Sequence, residues 1–250
     1  MDVFPDLFRL NGRVAIVTGA SKGIGNAIAR SLAVAGAQVF GVGRSLDPQG
    51  DASTFSYLAC DVTDTEAFGE FGRKIFNVAD RIDILVNAAG ITLPAEHNIH
   101  PSATFLKTIN SNLVAPFECS RIVMPFMMKG DYGSIINVTS IGAGLAFPGN
   151  PGYVASKGGL AALTRALALD YGLYGIRVNN LVPGYVRTDM TATSYADPGA
   201  RAVRAGKTML GRWGEVNDIA AAAVFLASPA SSYVTGTDLY VDGGWTAKGL

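Results

Sequence analysis

Cysteine, histidine and net charge are all scarce in this sequence. Its 250 residues include two cysteines and two histidines, and 20 Lys+Arg balance 20 Asp+Glu. Cys60 and Cys119 are too few and too far apart for a disulfide framework, so we expect two reduced thiols in a cytosolic protein. Because His97 and His100 stand without a cysteine cluster or an HExxH pattern, we expect no metal centre.

Three further absences exclude other classes of partner and of targeting signal. No excess of basic residues marks nucleic acid or an acidic membrane as a partner. The longest apolar runs, such as Ile219 to Ala227, are too short to span a bilayer. Residues 1–9 have neither a basic start nor an apolar stretch, and we therefore expect no signal peptide.

The composition favours one compact α/β domain. Hydrophobic residues make up 49% of the chain and glycine occupies 30 positions, which suits tight turns between strands and helices. The length allows one large domain with a substantial core. Since the sequence shows no repeat, low-complexity segment or linker, we expect a single domain over residues 1–250.

A glycine-rich turn joins the first predicted strand to the first predicted helix. The strand Arg13 to Thr18 leads into Gly19-Ala-Ser-Lys-Gly23-Ile-Gly25, and the helix that follows ends at Gly36 before a second strand, Ala37 to Val42. In such a βαβ unit the glycines let the backbone approach a pyrophosphate, and the helix N-terminus supplies oriented N–H groups. The order of these elements predicts a nucleotide site.

Tyr153 and Lys157 lie four residues apart in a predicted helix, Gly152 to Tyr171. Side chains at this spacing share one face, with Cβ atoms about 5–6 Å apart. An ammonium beside a phenol lowers the pKa of the phenol, which would let Tyr153 move a proton on an alcohol or carbonyl oxygen. The same spacing occurs on many solvated helices, so the interpretation depends on the rest of the chain.

Several candidate residues directly follow predicted strands. They are Gly19, Asp61, Asn87, Ser140 and Pro183. The carboxyl ends of parallel strands share one edge of a sheet, where ligands bind. Tyr153 and Lys157 begin the helix after Ser140 and should reach the same edge, which favours the catalytic interpretation of the pair.

Three motifs together resemble the short-chain dehydrogenase/reductase family, in the branch of this chain's length. They are Thr18-Gly19-x-x-x-Gly23-x-Gly25, Asn87-Ala88-Ala89-Gly90 and Tyr153-x-x-x-Lys157. The resemblance extends from about Leu10 to Gly244. It implies a doubly wound Rossmann fold, with a seven-stranded, mainly parallel sheet and helices on both faces. It also implies an NAD(P)-dependent oxidoreductase acting on CH–OH groups, assembled as a homotetramer.

The resemblance implies a catalytic set of Asn112, Ser140, Tyr153 and Lys157. Tyr153 would donate a proton to the developing alkoxide, and Ser140 would hydrogen-bond the same oxygen. Lys157 would lower the pKa of Tyr153 and hold the nicotinamide ribose. Asn112 would bend its helix and position a water for a proton relay.

The long helix predicted from Pro101 to Lys129 contains two features that bear on this set. Asn110 is the less favoured alternative to Asn112 as the catalytic asparagine. Pro116 implies a kink or a local break, because proline has no N–H for the helix.

The implied cofactor-binding set covers the glycine turn, several strand ends and the turn after the sixth strand. It comprises Gly19, Ser21, Lys22, Gly23, Ile24, Gly25, Arg44, Asp61, Val62, Asn87, Ala88, Ala89, Gly90, Tyr153, Lys157, Pro183, Gly184, Val186 and Thr188. Asp61 would contact the adenine amino group, although it could also cap the next helix. The Val186 backbone and the Thr188 hydroxyl would support the carboxamide.

The end of the second strand bears on the choice of cofactor. An acidic residue there would pair with the 2′-hydroxyl of NAD and repel a 2′-phosphate. This chain has Gly43 followed by Arg44, with Lys22 nearby. Unless these are ordinary surface charges, two cations without a carboxylate favour NADP(H) over NAD(H). A loop, Leu46 to Ser53, replaces the crossover helix that the family usually has here.

The substrate is indicated less directly. Candidate pocket residues, each equally consistent with loop packing, are Thr92, Leu93, Glu96, His97, Ile141, Phe147, Asn150, Tyr185 and Tyr195. Asp189 to Lys207 is a candidate lid or a mobile surface loop. The stretches Gly211-Arg-Trp-Gly214 and Val241-Asp-Gly-Gly-Trp245 resemble sugar-acid and polyol members of the family, such as gluconate 5-dehydrogenase-like enzymes. Glu96, His97 and Asn150 could hydrogen-bond a hydroxylated substrate.

Two alternative functions remain. The 3-oxoacyl-carrier-protein reductases share all the catalytic motifs, but they generally carry basic residues near the helix ends that precede the fifth and sixth strands. The matching segments here, Lys129 to Tyr132 and Leu173-Tyr174, offer only Lys129. A non-catalytic NADP-binding regulatory protein is the other alternative, and it is less favoured because all four catalytic positions are intact.

Overall fold

The computed structural model describes residues 6–46, 48–49, 54–94, 101–130 and 132–248. Within them, seven strands form one sheet in the order β3-β2-β1-β4-β5-β6-β7. The strands are β1 Val14–Thr18, β2 Gln38–Gly43, β3 Ser56–Ala59, β4 Ile84–Asn87, β5 Gly133–Val138, β6 Ile176–Pro183 and β7 Asp238–Val241. All six pairings between neighbouring strands are parallel, which confirms the predicted sheet.

Helices connect most of these strands. They are α1 Gly23–Val34, α2 Thr65–Ala79, α3 Ser102–Ile109, α4 Ala115–Met127, α5 Pro151–Tyr171, α6 Ala192–Ala196, α7 Pro198–Lys207 and α8 Val216–Ala227. The segment expected to be a lid or a mobile loop, residues 189–207, is therefore largely helical. Among the helices described, none combines the length and the apolar character that crossing a bilayer requires.

The sheet is covered on both faces. Buried residues of β1 alternate between two cores, with Ala15 packing in one and Ile16 in the other. The first core includes Ile28 of α1 and Ala223 of α8. The second core includes Phe68 of α2, together with residues of α4 and α5. A strand buried on both faces is typical of a parallel sheet wound in both directions, and the doubly wound fold is confirmed.

The connection between β2 and β3 differs from the usual helical crossover. Residues 44–46, 48–49 and 54–55 are described there, and none of them is helical. They agree with the predicted loop, while the remaining positions of this connection lie outside the described residues.

The strand order reverses between β1 and β4, and this reversal positions the candidate site. The turn after β1 and the turn after β4 run in opposite directions over the sheet and meet at its carboxyl edge. Thr18 Oγ1 accepts hydrogen bonds from the N–H groups of Ala88 and Ala89, both at 3.1 Å. The glycine turn and the Asn-Ala-Ala-Gly turn are thus joined directly.

Candidate active site

A cleft of about 420 Å³ lies at this edge of the sheet, within the size range of small-molecule sites. The structure brings most of the predicted site residues together in its walls. They are Gly19, Ser21, Lys22, Gly23, Ile24, Gly25, Arg44, Asp61, Val62, Ala88, Ala89, Gly90, Ser140, Tyr153, Lys157, Pro183, Gly184, Val186 and Thr188. The carboxyl ends of six strands, β1 to β6, contribute to this set, so the convergence predicted from the sequence is present in the fold.

The glycine turn leaves room for an anion at the start of α1. Gly19 has a φ of 68°, and a Cβ there would lie 2.7 Å from the Ala89 nitrogen. A Cβ on Gly25 would lie 2.3 Å from the Gly19 oxygen. The first turn of α1 holds no acidic residue, and its N-cap, Lys22, makes no side-chain cap bond. The backbone N–H groups here fit a dinucleotide pyrophosphate.

Asn87 is the one predicted cofactor residue that the structure does not place in the cleft walls. Its Nδ2 lies 2.9 Å from Asn137 Oδ1 and 3.3 Å from Ser120 Oγ, and the side chain is buried. That Asn87 contacts the cofactor stays a prediction, since its side-chain amide bonds β5 and the cleft lining does not include it. Its side chain holds the end of β4 against β5, from behind the cleft.

This contact continues across the sheet as a row of polar side chains. Asn87, Asn137, Asn180 and Asp238 occupy paired positions on β4, β5, β6 and β7. Thr164 of α5 bridges the middle of the row, since its Oγ1 accepts from Asn137 Nδ2 at 2.8 Å and donates to Asn180 Oδ1 at 2.6 Å. Asn180 Nδ2 in turn donates to Asp238 Oδ1 at 2.6 Å. The row ties α5, which carries Tyr153 and Lys157, to the sheet.

Tyr153 projects from the first turn of α5 and is hydrogen-bonded to Ser140. Ser140 follows β5, and its Oγ also accepts from the Gly142 N–H at 3.0 Å. Burial raises the pKa of Tyr153 above its ordinary value, and the bond to Ser140 only partly opposes this. The predicted lowering of the Tyr153 pKa is wrong, because loss of water around the phenol outweighs the interactions that favour the phenolate.

Lys157 lies one helical turn further along α5 and is buried. Its Nζ donates to the Val138 carbonyl oxygen at 2.7 Å and lies 5.8 Å from the centroid of the Tyr153 ring. Burial lowers the pKa of Lys157 to about 8. Lys157 is therefore less fully charged beside Tyr153 than the spacing suggested. Its pKa near neutral pH lets it exchange protons in the working range.

Asn112 lies behind the cleft, in a π-helical turn, Asn110–Val114, that separates α3 from α4. The break predicted for this helix is therefore present. Asn112 Oδ1 accepts from the Ile91 N–H at 2.8 Å, and Nδ2 donates to Ile91 O at 2.9 Å and to Ser156 Oγ at 3.2 Å. These bonds engage the side-chain amide. Because Pro116 has no N–H, the α-helical donor for the Asn112 carbonyl is missing.

Asp61 remains a carboxylate at the mouth of the cleft. Burial tends to raise the pKa of Asp61. Hydrogen bonds from Thr63 and the charge of Arg44 lower that pKa by more, so it lies below its ordinary value. Both bonds from Thr63, at 3.0 and 2.9 Å, go to Oδ1. The alternative role as a helix cap belongs instead to Asp64, which accepts from the Ala67 N–H at the start of α2.

Lys22 and Arg44, the two cations predicted to favour the 2′-phosphate of NADP(H), differ in their surroundings. Lys22 Nζ lies 3.0 Å from Asp189 Oδ2, in a solvent-exposed pair of the kind that contributes little stability. Arg44 is exposed, and no carboxylate of the described residues lies within ion-pair distance of it. Of the two, Arg44 is therefore more open to an incoming anion.

The candidate substrate residues are only partly brought together. Phe147 stacks against Tyr153 with ring centroids 6.5 Å apart, and Tyr185 follows at 6.3 Å from Phe147. Asn150 Nδ2 donates a hydrogen bond to Thr92 Oγ1 at 2.6 Å. Ile141 is buried and Tyr195 packs on Trp213, whereas Leu93 lines a separate small cavity. Glu96 and His97 lie outside the described residues.

The cleft wall also contains several residues outside the predicted site set, among them Ser111 and Met190. Ser111 precedes Asn112 in the π-helical turn, and Met190 lies two residues after Thr188. Both are close to predicted residues in the sequence, but nothing in their own type indicates a ligand contact. Their position follows from how each segment turns over the sheet edge.

Comparisons with known proteins identify the family. A family model described as enoyl-(acyl carrier protein) reductase matches residues 19–246. A 2-dehydro-3-deoxy-D-gluconate 5-dehydrogenase from Pseudoalteromonas atlantica is 39% identical over 253 residues, which cover 96% of this chain and 98% of that relative. This chain belongs to the short-chain dehydrogenase/reductase family. As a member of it, the protein is an NAD(P)-dependent oxidoreductase acting on CH–OH groups.

Two further proteins similar to this chain are a carrier-protein reductase and a gluconate 5-dehydrogenase. A 3-oxoacyl-[acyl-carrier-protein] reductase from Vibrio harveyi is 38% identical, covering 94% of this chain and 98% of the relative. The crystal structure of a gluconate 5-dehydrogenase from Burkholderia cenocepacia, in complex with NADP and tartrate, superposes with a TM-score of 0.92. It is 33% identical and covers 98% of this chain and 99% of its own.

The lowered pKa of Lys157 predicts a pH dependence of stability. The unfolded chain holds this proton up to pH ~10.4, whereas the folded protein releases it near pH 8. Between these pH values the folded state binds fewer protons than the unfolded chain. Raising the pH therefore increases the free energy of unfolding. Relative to Lys157→Met, the wild-type free energy of unfolding should gain about 3 kcal/mol between pH 7 and 10.5.

Urea denaturation of both proteins across this range, at one protein concentration, measures the difference. The two proteins share every other titrating group, so the changing gap between them isolates Lys157. Parallel stability curves would contradict the lowered pKa.

Proposed function

We propose that this chain is a single-domain enzyme, over residues 1–250, that interconverts a carbonyl and a secondary alcohol on a sugar acid, polyol or other small hydroxylated substrate. The observation that carries the proposal is the cluster of half-buried Tyr153 with buried Ser140 and Lys157, beside a cleft that fits a dinucleotide. The sugar-acid names of two relatives support the substrate class.

Bound NADP(H) would supply or accept the hydride. In reduction, Tyr153 donates its phenol proton to the alkoxide oxygen, and its raised pKa keeps that proton in place at neutral pH. Ser140 holds the same oxygen through a second hydrogen bond. Lys157, with a pKa near the working range, passes a proton toward Tyr153 and holds the ribose hydroxyls of the cofactor.

Asn112 would complete the proton relay through its backbone. Its side-chain amide is already engaged by Ile91 and Ser156. Its carbonyl oxygen lacks the α-helical donor that Pro116 would otherwise provide. We therefore assign the relay water to the Asn112 carbonyl oxygen rather than to the amide.

The carrier-protein reductase alternative has weaker support. The Vibrio relative is nearly as similar as the sugar-acid enzymes, but a carrier needs basic residues at two helix ends. Lys129 Nζ lies 4.9 Å from the Phe76 ring centroid, and the second helix end presents Leu173 and Tyr174 to solvent. An acidic carrier would therefore meet one cation where two sites are expected.

A panel of substrates tests the proposed function. With NADPH, we expect the wild type to reduce 5-keto-D-gluconate and neutral ketoses with a higher kcat/KM than 3-ketoacyl thioesters. Tyr153→Phe should lower kcat by about 10²–10⁴-fold, since it removes the proton donor, while the dissociation constant for NADPH stays within about threefold. Absorbance of NADPH gives the rates, and its fluorescence gives the affinity.

Three results would count against this proposal. Preferred turnover of the thioesters would favour the carrier-protein alternative. Firm NADPH binding without turnover of any carbonyl would favour the regulatory alternative. Activity retained by Tyr153→Phe would overturn the assignment of the proton donor.

We further propose that NADP(H) is preferred over NAD(H). A Cβ on Gly43 would lie 2.8 Å from Tyr57 Oη, and that hydroxyl donates to Ser45 O at 2.8 Å. An acidic side chain at the end of β2 does not fit unless this contact breaks. Arg44 remains as an exposed cation at the cleft, and the gluconate 5-dehydrogenase structure was determined with NADP.

Arg44→Gln tests this preference. If Arg44 binds the 2′-phosphate, the substitution should raise KM for NADPH by about 10- to 100-fold, the range expected for one charged hydrogen-bonded contact. KM for NADH should change by less than about threefold. Lys22→Gln is the comparison, and its effect should be smaller because Lys22 is already paired with Asp189. Equal efficiency of the two cofactors in the wild type would contradict the preference.

We also propose a cytoplasmic homotetramer. Leu160 and Leu167 of α5, which could pack either on the core or on a second subunit, are buried in the chain's own core. Exposed apolar side chains on the two long helices, Leu169 on α5 and Phe117 on α4, support an interface. Light scattering should give four times the mass of the chain, and a monomer would contradict the assembly.

A further inference from the structure

A cluster of aromatic rings adjoins the proposed proton donor. This aromatic cluster consists of Tyr185, Tyr195, Trp213 and Trp245. The ring centroid of Tyr185 lies 5.3 Å from that of Trp213 and 5.0 Å from that of Trp245, and Tyr195 lies 5.2 Å from Trp213. Phe147 connects Tyr185 to Tyr153. The cluster is therefore continuous with the place where the reacting oxygen binds.

Helix α7 presents cations to this cluster. Arg201, Arg204 and Lys207 recur every three residues, a spacing that places neighbours on one side of a helix. Each lies over a ring of the cluster, and Arg204 Cζ is the nearest, 4.8 Å from the centroid of Tyr185. Arg201 and Lys207 are exposed, whereas Arg204 is half-buried. Arg204 is thus the cation that faces inward.

The hydrogen bonding of Arg204 is incomplete. Its only hydrogen bond to the described residues is from Nη1 to Ala200 O, at 3.4 Å within its own helix. No carboxylate of the described part of the chain lies within 4.0 Å of it. By contrast, Arg212 holds Asp218 through two bonds of 2.7 and 3.0 Å, and Arg187 pairs with Glu215 at 3.3 Å.

This arrangement leaves the Arg204 guanidinium able to bind an anion. A guanidinium carries five N–H donors and stays charged, and removing it partly from water without a counter-ion has a cost. The face of Tyr185 offsets only part of that cost, about 0.5–2 kcal/mol. The planar fork of an arginine matches the two oxygens of a carboxylate.

We propose that Arg204, held on the Tyr185 ring, binds the carboxylate of the substrate and makes the enzyme select hydroxy acids over neutral polyols of the same length. This inference rests on the proposed function and assigns its substrate class. Phe147 and Tyr185 then lie along the substrate, between its carboxylate at Arg204 and its reacting carbon at Tyr153. Arg204 acts as a specificity residue and takes no part in hydride or proton transfer.

Arg204→Gln tests the proposal with two substrates of equal carbon number, D-gluconate and the neutral polyol D-sorbitol, with NADP⁺. We expect kcat/KM for D-gluconate to fall by about 10- to 100-fold, because one bidentate charged contact is lost. The value for D-sorbitol should change by less than about threefold. Arg204→Lys, which keeps the charge but not the fork, should lie between these results.

Arg201→Gln is the matched control. It removes the same side chain from the same helix one turn earlier, at an exposed position. The backbone carbonyl of Arg201, which accepts from Trp213 Nε1 at 3.0 Å, remains. Its kcat/KM for both substrates should stay within about threefold of the wild type.

A binding measurement makes the test independent of turnover. The chain has two tryptophans, Trp213 and Trp245, and both belong to the aromatic cluster, so their fluorescence reports on this site. Titrating D-gluconate into the NADP⁺ complex should give saturable binding in the wild type and in Arg201→Gln. The affinity should be at least about tenfold weaker in Arg204→Gln, whose circular dichroism should match that of the wild type.

The outcomes separate this inference from the proposed function. Equal losses for D-gluconate and D-sorbitol, equal effects of the two glutamine variants, or D-gluconate affinity unchanged in Arg204→Gln would each overturn the role of Arg204. The enzyme could then still reduce the ketone panel, and the proposed function would stand. If D-gluconate neither binds nor reacts while ketoses do, the hydroxy-acid preference is wrong. Failure of every carbonyl in the panel would instead reject the proposed function.

Discussion

The close contact between the turns after β1 and β4 is the constraint on which the site depends. Thr18 Oγ1 accepts from two successive N–H groups of the opposite turn, and no side chain fits at Gly19 or Gly25. This contact fixes the start of α1 against the centre of the sheet, where the strand order reverses. The free N–H groups of α1 and the wall formed by Ala88 and Ala89 both follow from it.

Burial decides the acid–base properties on the other side of the cleft. It raises the pKa of Tyr153 and lowers that of Lys157 to about 8, since each group loses water that stabilises its charged form. The pair is therefore poised with the phenol protonated and the amine near its titration point. The polar row from Asn87 to Asp238 holds α5 against the sheet, so this environment is built into the fold.

Much of the site could be predicted from local patterns. The glycine spacing and the Tyr153–Lys157 spacing depend on backbone geometry, and parallel strands bring their ends to one edge, so Ser140 and Pro183 could be placed without coordinates. The orientation of a side chain at a strand end is not fixed in this way. Asn87 turns toward β5, and the amide of Asn112 turns toward Ile91, because each finds buried hydrogen-bond partners there.

The sequence by itself determined the fold class, the glycine turn and the placement of Tyr153 and Lys157 on one helix beside Ser140, because each rests on short spacings that one helix or one turn enforces. Only the tertiary structure decided the pKa directions, the engagement of Lys22 by Asp189, and the position of Arg204 over Tyr185. These depend on how much water remains around a group and on which segments meet across the cleft. Residues distant in the chain determine both the water left around a group and the segments that meet there. A local sequence pattern therefore cannot predict either one.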